Sequence, residues 1–108
     1  MLPFEIAPAE LKRLIESGEE DILLLDVREP GELPLARIEG SLHIPMGDVP
    51  SRSIELDPEA RIVVLCHLGQ RSAMVAQFLR GRDFERVQSL RGGIDAWARE
   101  ADPGAGRY

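Results

Sequence analysis

The sequence predicts an α/β domain built on a mostly parallel, five-stranded sheet flanked by helices on both faces. Three observations predict it. The apolar runs Ile22 to Leu25 and Ile62 to Leu65 show no polar alternation, the pattern of strands buried on both faces. Segments with helical spacing stand between the strand-like runs, so strands and helices alternate and the sheet is largely parallel. The 108 residues, 44% of them apolar, supply one core and therefore one domain.

The elements follow in order. Phe4-Glu5-Ile6 opens as a short strand. Pro8 suits a first helical position, and Leu11, Leu14 and Ile15 make one apolar face before Gly18 stops the helix. Ile22 to Leu25 forms a strand that ends in Asp26. The stretch 27–40 is polar and broken by Pro30, Gly31 and Pro34, so it reads as loop with one helical turn. Ser41 to Pro45 is a short strand closed by proline. Residues 46–60, with Pro50 and Pro58, read as loop with one irregular turn.

The central strand Ile62 to Leu65 runs straight into Cys66. After a short polar loop, Ser72 opens a segment with apolar residues at 74, 75, 78 and 79, which is helical spacing. Gly81 is placed to end that helix in a left-handed cap. Phe84 to Val87 reads as a further strand. Gly92-Gly93 precedes a last helix carrying Ile94, Trp97 and Ala98 on one face. From Asp102 onward the chain reads as a flexible tail, which divides it into a domain at 1–101 and a tail at 102–108.

Composition narrows the function. The net charge is −6 and the basic residues are scattered, which disfavours nucleic-acid binding. No apolar run approaches the roughly 20 residues of a membrane span. The opening MLPFEIAPAE has no basic stretch and no long apolar core, so a cytoplasmic location is expected. A single cysteine excludes an intrachain disulfide and a multi-cysteine zinc site. It also leaves no internal resolving thiol, so whatever is loaded onto Cys66 must leave to an external acceptor or another chain. Nothing in the sequence demands more than a monomer.

Cys66 is the candidate nucleophile. A tight loop entering a helix turns several backbone N–H groups towards one point, beside the positive end of the helix dipole. Those amides and Arg71 favour the thiolate, the reactive form of the side chain. Gly69 lets the backbone turn with φ > 0 or approach a ligand closely. The bland alternative for a lone cysteine ending an apolar strand is a small buried packing residue. In parallel sheets, ligands bind outside the carboxyl ends of the strands. Asp26 and Cys66 end two such strands, so they come to the same edge.

These residues carry a family resemblance. Asp26-Val27-Arg28-Glu29 followed by Glu32 is similar to the DVRE…E signature of single-domain rhodaneses. Ile38-Glu39-Gly40-Ser41-Leu42-His43-Ile44-Pro45 resembles their HI-x-GA-x-NIP segment, with Arg37, Ser41 and His43 as departures. Cys66-His67-Leu68-Gly69-Gln70-Arg71-Ser72 resembles their C-x-x-G-x-R-S active-site loop. Leu90, Gly92, Gly93, Ala96 and Trp97 resemble their closing L-x-GG-x-x-x-W stretch. The likeness runs from about Ile6 to Arg99 and implies a rhodanese-like fold.

The resemblance implies a sulfurtransferase that moves sulfane sulfur from a small donor such as thiosulfate, through a persulfide on Cys66, to a thiol or protein acceptor. No metal and no organic cofactor is implied. A loop of six residues, Cys66 to Arg71, suits sulfur chemistry in that family, while one residue more accommodates phosphate or arsenate. Two other functions stay open: a persulfide carrier or regulatory module, and a phosphatase or arsenate reductase on the same fold.

The loop residues His67, Leu68, Gly69, Gln70 and Arg71 are the expected substrate-binding set. Arg71 either binds donor oxyanions or pairs with a carboxylate that holds the loop. His67 is expected to be a solvent-facing side chain, with a contact to substrate or an effect on the acidity of Cys66 as the sharper alternative. Ser72 is expected to cap the helix, with a hydroxyl contact to the thiolate as the sharper alternative. Asp26, Arg28 and Ser72 are supporting residues. Asp26 is expected to be structural, because a carboxylate beside a thiolate opposes its ionisation. Arg28 is expected to pair with Glu32, His43 to be a hydrogen-bonded structural residue, and Trp97 to lie in the core.

Overall fold

The structure, a computed structural model, describes residues 1–108. In chain order the elements are β1 (Glu5–Ile6), α1 (Pro8–Ser17), β2 (Ile22–Asp26), β3 (Leu42–His43), α2 (Val49–Arg52), β4 (Arg61–Leu65), α3 (Gln70–Arg80), β5 (Val87–Leu90) and α4 (Gly93–Glu100). Short 3₁₀ turns sit at Pro30–Glu32, Met46–Asp48, Ser53–Glu55 and Pro103–Ala105. The sheet order is β1-β5-β4-β2-β3, and every neighbouring pair is parallel. The expected α/β architecture is what the chain adopts.

The two-residue period of a strand explains how the sheet makes two cores. Along β4, Ile62, Val64 and then Cys66 fall on the side of α2 and α3, where Val75 and Leu79 pack. Val63 and Leu65 fall on the other side, against Leu11 of α1 and Ile94 and Trp97 of α4. All five residues of β4 are buried, which is why the four after Arg61 are all apolar. No helix is long and apolar enough to cross a membrane.

Several local expectations are met. Pro8 starts α1, and Gly18 closes it in the left-handed region with φ 63. His43 and Trp97 take structural places: His43 Nε2 lies 2.6 Å from the Arg28 carbonyl oxygen, and Trp97 is buried.

Four are corrected. Gly81 is not a left-handed cap: its φ is −70, and its N–H continues the helical pattern to the Gln77 carbonyl. The left-handed residue is Asp83, φ 68, a residue type that tolerates the region. The last strand is Val87–Leu90, not Phe84 to Val87. Phe84 instead closes the end of α3, its N–H bonded to the Leu79 carbonyl. The real strand was obscured by buried Gln88 and Ser89; the Gln88 amide is satisfied by Arg61 and the Pro3 carbonyl. Within α3, Met74 is exposed, and Ser72, Val75, Ala76 and Leu79 face the core.

The fourth concerns residues 102–108, which dock on the domain rather than trailing from it. Asp102 caps its own turn by accepting from the Gly104 amide at 3.0 Å. The Arg37 N–H donates to the Ala105 carbonyl at 2.9 Å. Gly106, φ 91, passes so close to the Leu35 carbonyl that a Cβ would sit 2.6 Å from it. The partners lie some 70 positions earlier in the chain, beyond the reach of local composition.

Candidate functional site

Parallel pairing of β2 with β4 sets Asp26 opposite Leu65, so the two expected residues, Asp26 and Cys66, do share the carboxyl edge of the sheet. From Cys66 the chain turns at once through Gly69, whose φ of 109 is open to glycine and strained for other residues. That turn aims the Gly69 amide back at the cysteine: its N–H donates to Cys66 Sγ at 3.1 Å. The Ser72 N–H donates to the same sulfur at 3.3 Å. The Ser72 hydroxyl lies 3.4 Å from Sγ. The sulfur therefore takes two amide donors at the start of α3, where the helix dipole is positive, and as a thiol it donates to the Ser72 hydroxyl oxygen, a hydroxyl that can turn its proton to the sulfur once the thiol ionises. The α3 amides of Gln70 and Arg71 have no carbonyl within the helix to meet. Cys66 itself is 1% exposed.

The serine hydroxyl works differently from a helix cap. Gly69 occupies the cap position of α3, and Ser72 stands two residues inside the helix. Its hydroxyl bridges the sulfur, the Gly69 carbonyl at 3.2 Å and the Ser89 hydroxyl at 2.8 Å. Ser89 went unnoticed in the sequence. Its signal was a hydroxyl in the middle of an otherwise buried strand, which requires a partner.

The loop's outer rim is pinned by α4. The Ile94 N–H donates to the Cys66 carbonyl at 2.8 Å and the Asp95 N–H to the His67 carbonyl at 3.1 Å. Such close approach needs a residue without a side chain at 93. A Cβ on Gly93 would lie 2.3 Å from the His67 carbonyl oxygen.

Beneath the loop sits a buried ion pair. Arg28 is 0% exposed, and its guanidinium meets Asp26 at 2.8 Å through Nη2 while Nε bridges both carboxylate oxygens. Nη2 also donates to the Ala36 carbonyl at 2.7 Å. The expected Arg28–Glu32 pair is thus replaced by Arg28–Asp26, which rigidifies the strand end; only the Glu32 main-chain oxygen touches Arg28, at 3.3 Å. The Glu32 side chain belongs to Arg71, with two hydrogen bonds of 2.7 and 2.9 Å. The Arg71 guanidinium beside it, despite partial burial, holds the Glu32 carboxyl down at about 2. In the same pair the hydrogen bonds to Glu32 push Arg71 above its ordinary value.

His67 does not simply face solvent. Its ring stacks on Tyr108, centroids 3.9 Å apart and planes 11° from parallel. Leu68 and Gln70 present exposed side chains at the rim. Of the expected site residues, the structure brings Cys66, Gly69 and Ser72 around the sulfur, turns Arg71 towards Glu32, and sets Asp26 and Arg28 as the floor.

A wholly parallel α/β sheet with a cysteine held by the amides of a strand-to-helix loop at its carboxyl edge defines a class of single-domain cysteine-loop proteins. The chain belongs to the Rhodanese-like domain family, which it matches over residues 7–100. It is 39% identical over 84 residues to the Sulfurtransferase of Allochromatium vinosum, covering 78% of each chain. It is 33% identical over 92 residues to Thiosulfate sulfurtransferase GlpE of Pseudomonas aeruginosa, covering 85% of this chain and 81% of that one. Its fold is similar to that of the rhodanese-related protein from Thermoplasma volcanium, with a TM-score of 0.82 and 30% identity, covering 92% of this chain and 94% of that one.

Proposed function

We propose that the protein is a sulfurtransferase that carries sulfane sulfur as a persulfide on Cys66, with thiosulfate as a donor. The observation that carries this reading is the pair of amides, Gly69 and Ser72, directed at the Cys66 sulfur. A cup of N–H groups beside a helix start stabilises negative charge before it develops. In the first step the Cys66 thiolate attacks the outer sulfur of thiosulfate. The new S–S bond forms as the old one breaks, and the bonding pair leaves with sulfite. In the second step an acceptor nucleophile, cyanide in an assay or a thiol in the cell, takes the terminal sulfur and returns the thiolate. The Gln70 and Arg71 amides, free at the start of α3, serve the terminal sulfur. Arg71, engaged by Glu32, holds the loop shape rather than meeting the donor. The relatives named as sulfurtransferases support the reading at the level of reaction type. The protein is expected to work in the cytoplasm, as a monomer and without a cofactor.

The test compares the wild-type protein with Cys66→Ser in thiocyanate formation from thiosulfate and cyanide. We expect turnover in the first and none above background in the second. Equal rates end the proposal. An aryl phosphate hydrolysed with dependence on Cys66 moves the assignment to a phosphatase. A persulfide found by mass on Cys66, without turnover of small donors, moves it to a carrier.

A further inference from the structure

Cys66 is 1% exposed, yet a nucleophile needs an in-line path to its target. Something at the mouth of the loop must move to open that path. The loop itself is fixed: its sulfur takes two amides, and its Cys66 and His67 carbonyls are held by α4. Arg71 is clamped by Glu32. The segment 102–108 is the exception, since it belongs to neither the sheet nor a long helix and meets the loop only at its last residue, through the Tyr108 ring and main-chain oxygen on His67.

We infer that Tyr108 is the gate of the Cys66 site and the residue that sets which reactants enter by size. Its ring covers His67, the residue that follows the cysteine. The Tyr108 hydroxyl donates to Glu32 Oε1 at 2.7 Å, and Arg28 Nη1 donates to the hydroxyl oxygen at 3.1 Å. Its main-chain oxygen lies 2.8 Å from His67 Nε2. Every one of these partners is part of the loop or of the network under it, so the ring position is coupled to the site and to nothing else. The ring is held at its hydroxyl and its face but lies at the surface. Tyr108 keeps 37% of its surface exposed, and the neighbouring tether, Arg107 to Asp95 at 3.0 Å, is an exposed ion pair of low net worth. With the ring on His67, small anionic donors are favoured over bulky ones. With the ring swung out, a bulky thiol or a protein surface reaches the sulfur. The inference rests on Cys66 being the reactive group, but not on sulfur transfer.

The test is alkylation of Cys66 at pH 7, which needs only the thiolate. The rates with iodoacetamide and with a biotin-linked maleimide are measured for the wild-type protein, Tyr108→Phe and Tyr108→Ala. We expect Tyr108→Ala to raise the maleimide rate about tenfold and the iodoacetamide rate by less, as when an open fraction of about a tenth becomes dominant. Tyr108→Phe keeps the stack and loses the Glu32 contact, so it falls between. Melting temperatures within a few degrees of the wild type show that the fold is retained. A maleimide-to-iodoacetamide ratio that is the same in all three proteins overturns the gate, as does a lower ratio in Tyr108→Ala. Thiocyanate assays on the same samples separate this outcome from a failure of the sulfurtransferase reading.

Discussion

Glu32 and Arg71, 39 positions apart in the chain, meet through two parallel hydrogen bonds of 2.7 and 2.9 Å. The pair ties the long loop after β2 to the first turn of α3, and so ties the floor of the site to its reactive loop. The Glu32 carboxylate also accepts from the Glu29 N–H at 2.9 Å and the Tyr108 hydroxyl at 2.7 Å. Four donors on one carboxylate leave it no reason to protonate near neutrality.

Folding takes the Glu32 pKa from 4.5 down to about 2. A depressed carboxyl contributes stability that is fully present above its unfolded value and lost as pH falls through the folded one. The window is therefore pH 4.5 down to about 2. The full shift corresponds to about 3 kcal/mol, but both side chains are partly exposed, which reduces it to about 1–2 kcal/mol. We expect Glu32→Gln to lower stability by that amount at pH 7. The gap to the wild type should narrow as both are titrated towards pH 2. Urea unfolding at pH 7, 4 and 2.5 checks this, and a gap independent of pH contradicts it.

The Asp26–Arg28 pair predicts a larger loss. Both side chains are essentially unexposed, 1% and 0%, so removing one leaves a buried charge with no counter-ion. Asp26→Ala should cost about 3–5 kcal/mol, the range for breaking a buried pair. Exchanging both residues for apolar ones of similar size should recover part of the loss, because no charge is then stranded. Thermal melts of the two variants provide the comparison. A double variant less stable than Asp26→Ala contradicts the account.

Gly93 tests whether α4 holds the loop. Alanine there needs φ +65 and puts a methyl 2.3 Å from the His67 carbonyl oxygen and 2.7 Å from that of Cys66. The backbone strain alone is about 1–3 kcal/mol, and the clash falls on backbone that cannot rotate away. We expect Gly93→Ala to lose stability and, in the sulfur-transfer assay, to lose kcat as the Gly69 amide drifts from the sulfur. Gly31→Ala is the control, since nothing lies within 4 Å of its position and surface changes of that kind stay within about 0.5 kcal/mol.

These variants also show where the sequence spoke and where it was silent. The apolar runs at Ile22–Leu25 and Ile62–Leu65 were readable because a strand buried on both sides has no polar face to alternate with. Cys66, Gly69 and Ser72 were readable because a nucleophile loop is local: the seven residues from Cys66 to Ser72 carry both amides that meet the sulfur. The partners of Arg28 and Arg71 were not, since a guanidinium reaches across the fold, and Asp26 at the end of β2 and Glu32 in the turn that follows both offer a carboxylate within that reach. Ser89 hid for the same reason, as its one partner lies on another element. Residues 102–108 looked unstructured because Pro, Gly and Ala carry no periodic signal. What holds them is Arg37, Asp95, His67, Glu32 and Arg28, and none of those contacts is written in the segment itself.

Ser72 and Ser89 allow reactivity and stability to be separated. Both are 0% exposed, and the Ser89 hydroxyl has the Ser72 hydroxyl, 2.8 Å away, as its side-chain partner. Ser72→Ala keeps the backbone N–H on the sulfur and removes the hydroxyl that the thiol donates to and that can turn its proton to the thiolate. It also strands the Ser89 hydroxyl in the interior, at a cost of about 1–3 kcal/mol. Ser72→Ala should therefore be both less stable and slower to react with iodoacetamide at pH 7, by about tenfold if the lost contact to a charged sulfur contributes about 1.5 kcal/mol. Ser72→Ala combined with Ser89→Ala leaves no buried hydroxyl without a partner, so stability should return towards the wild type. Reactivity should not return, because the hydroxyl that turns to the thiolate is still missing. Recovery of both together in the double variant means that the hydroxyl acts on packing alone and that the amides suffice to hold the thiolate.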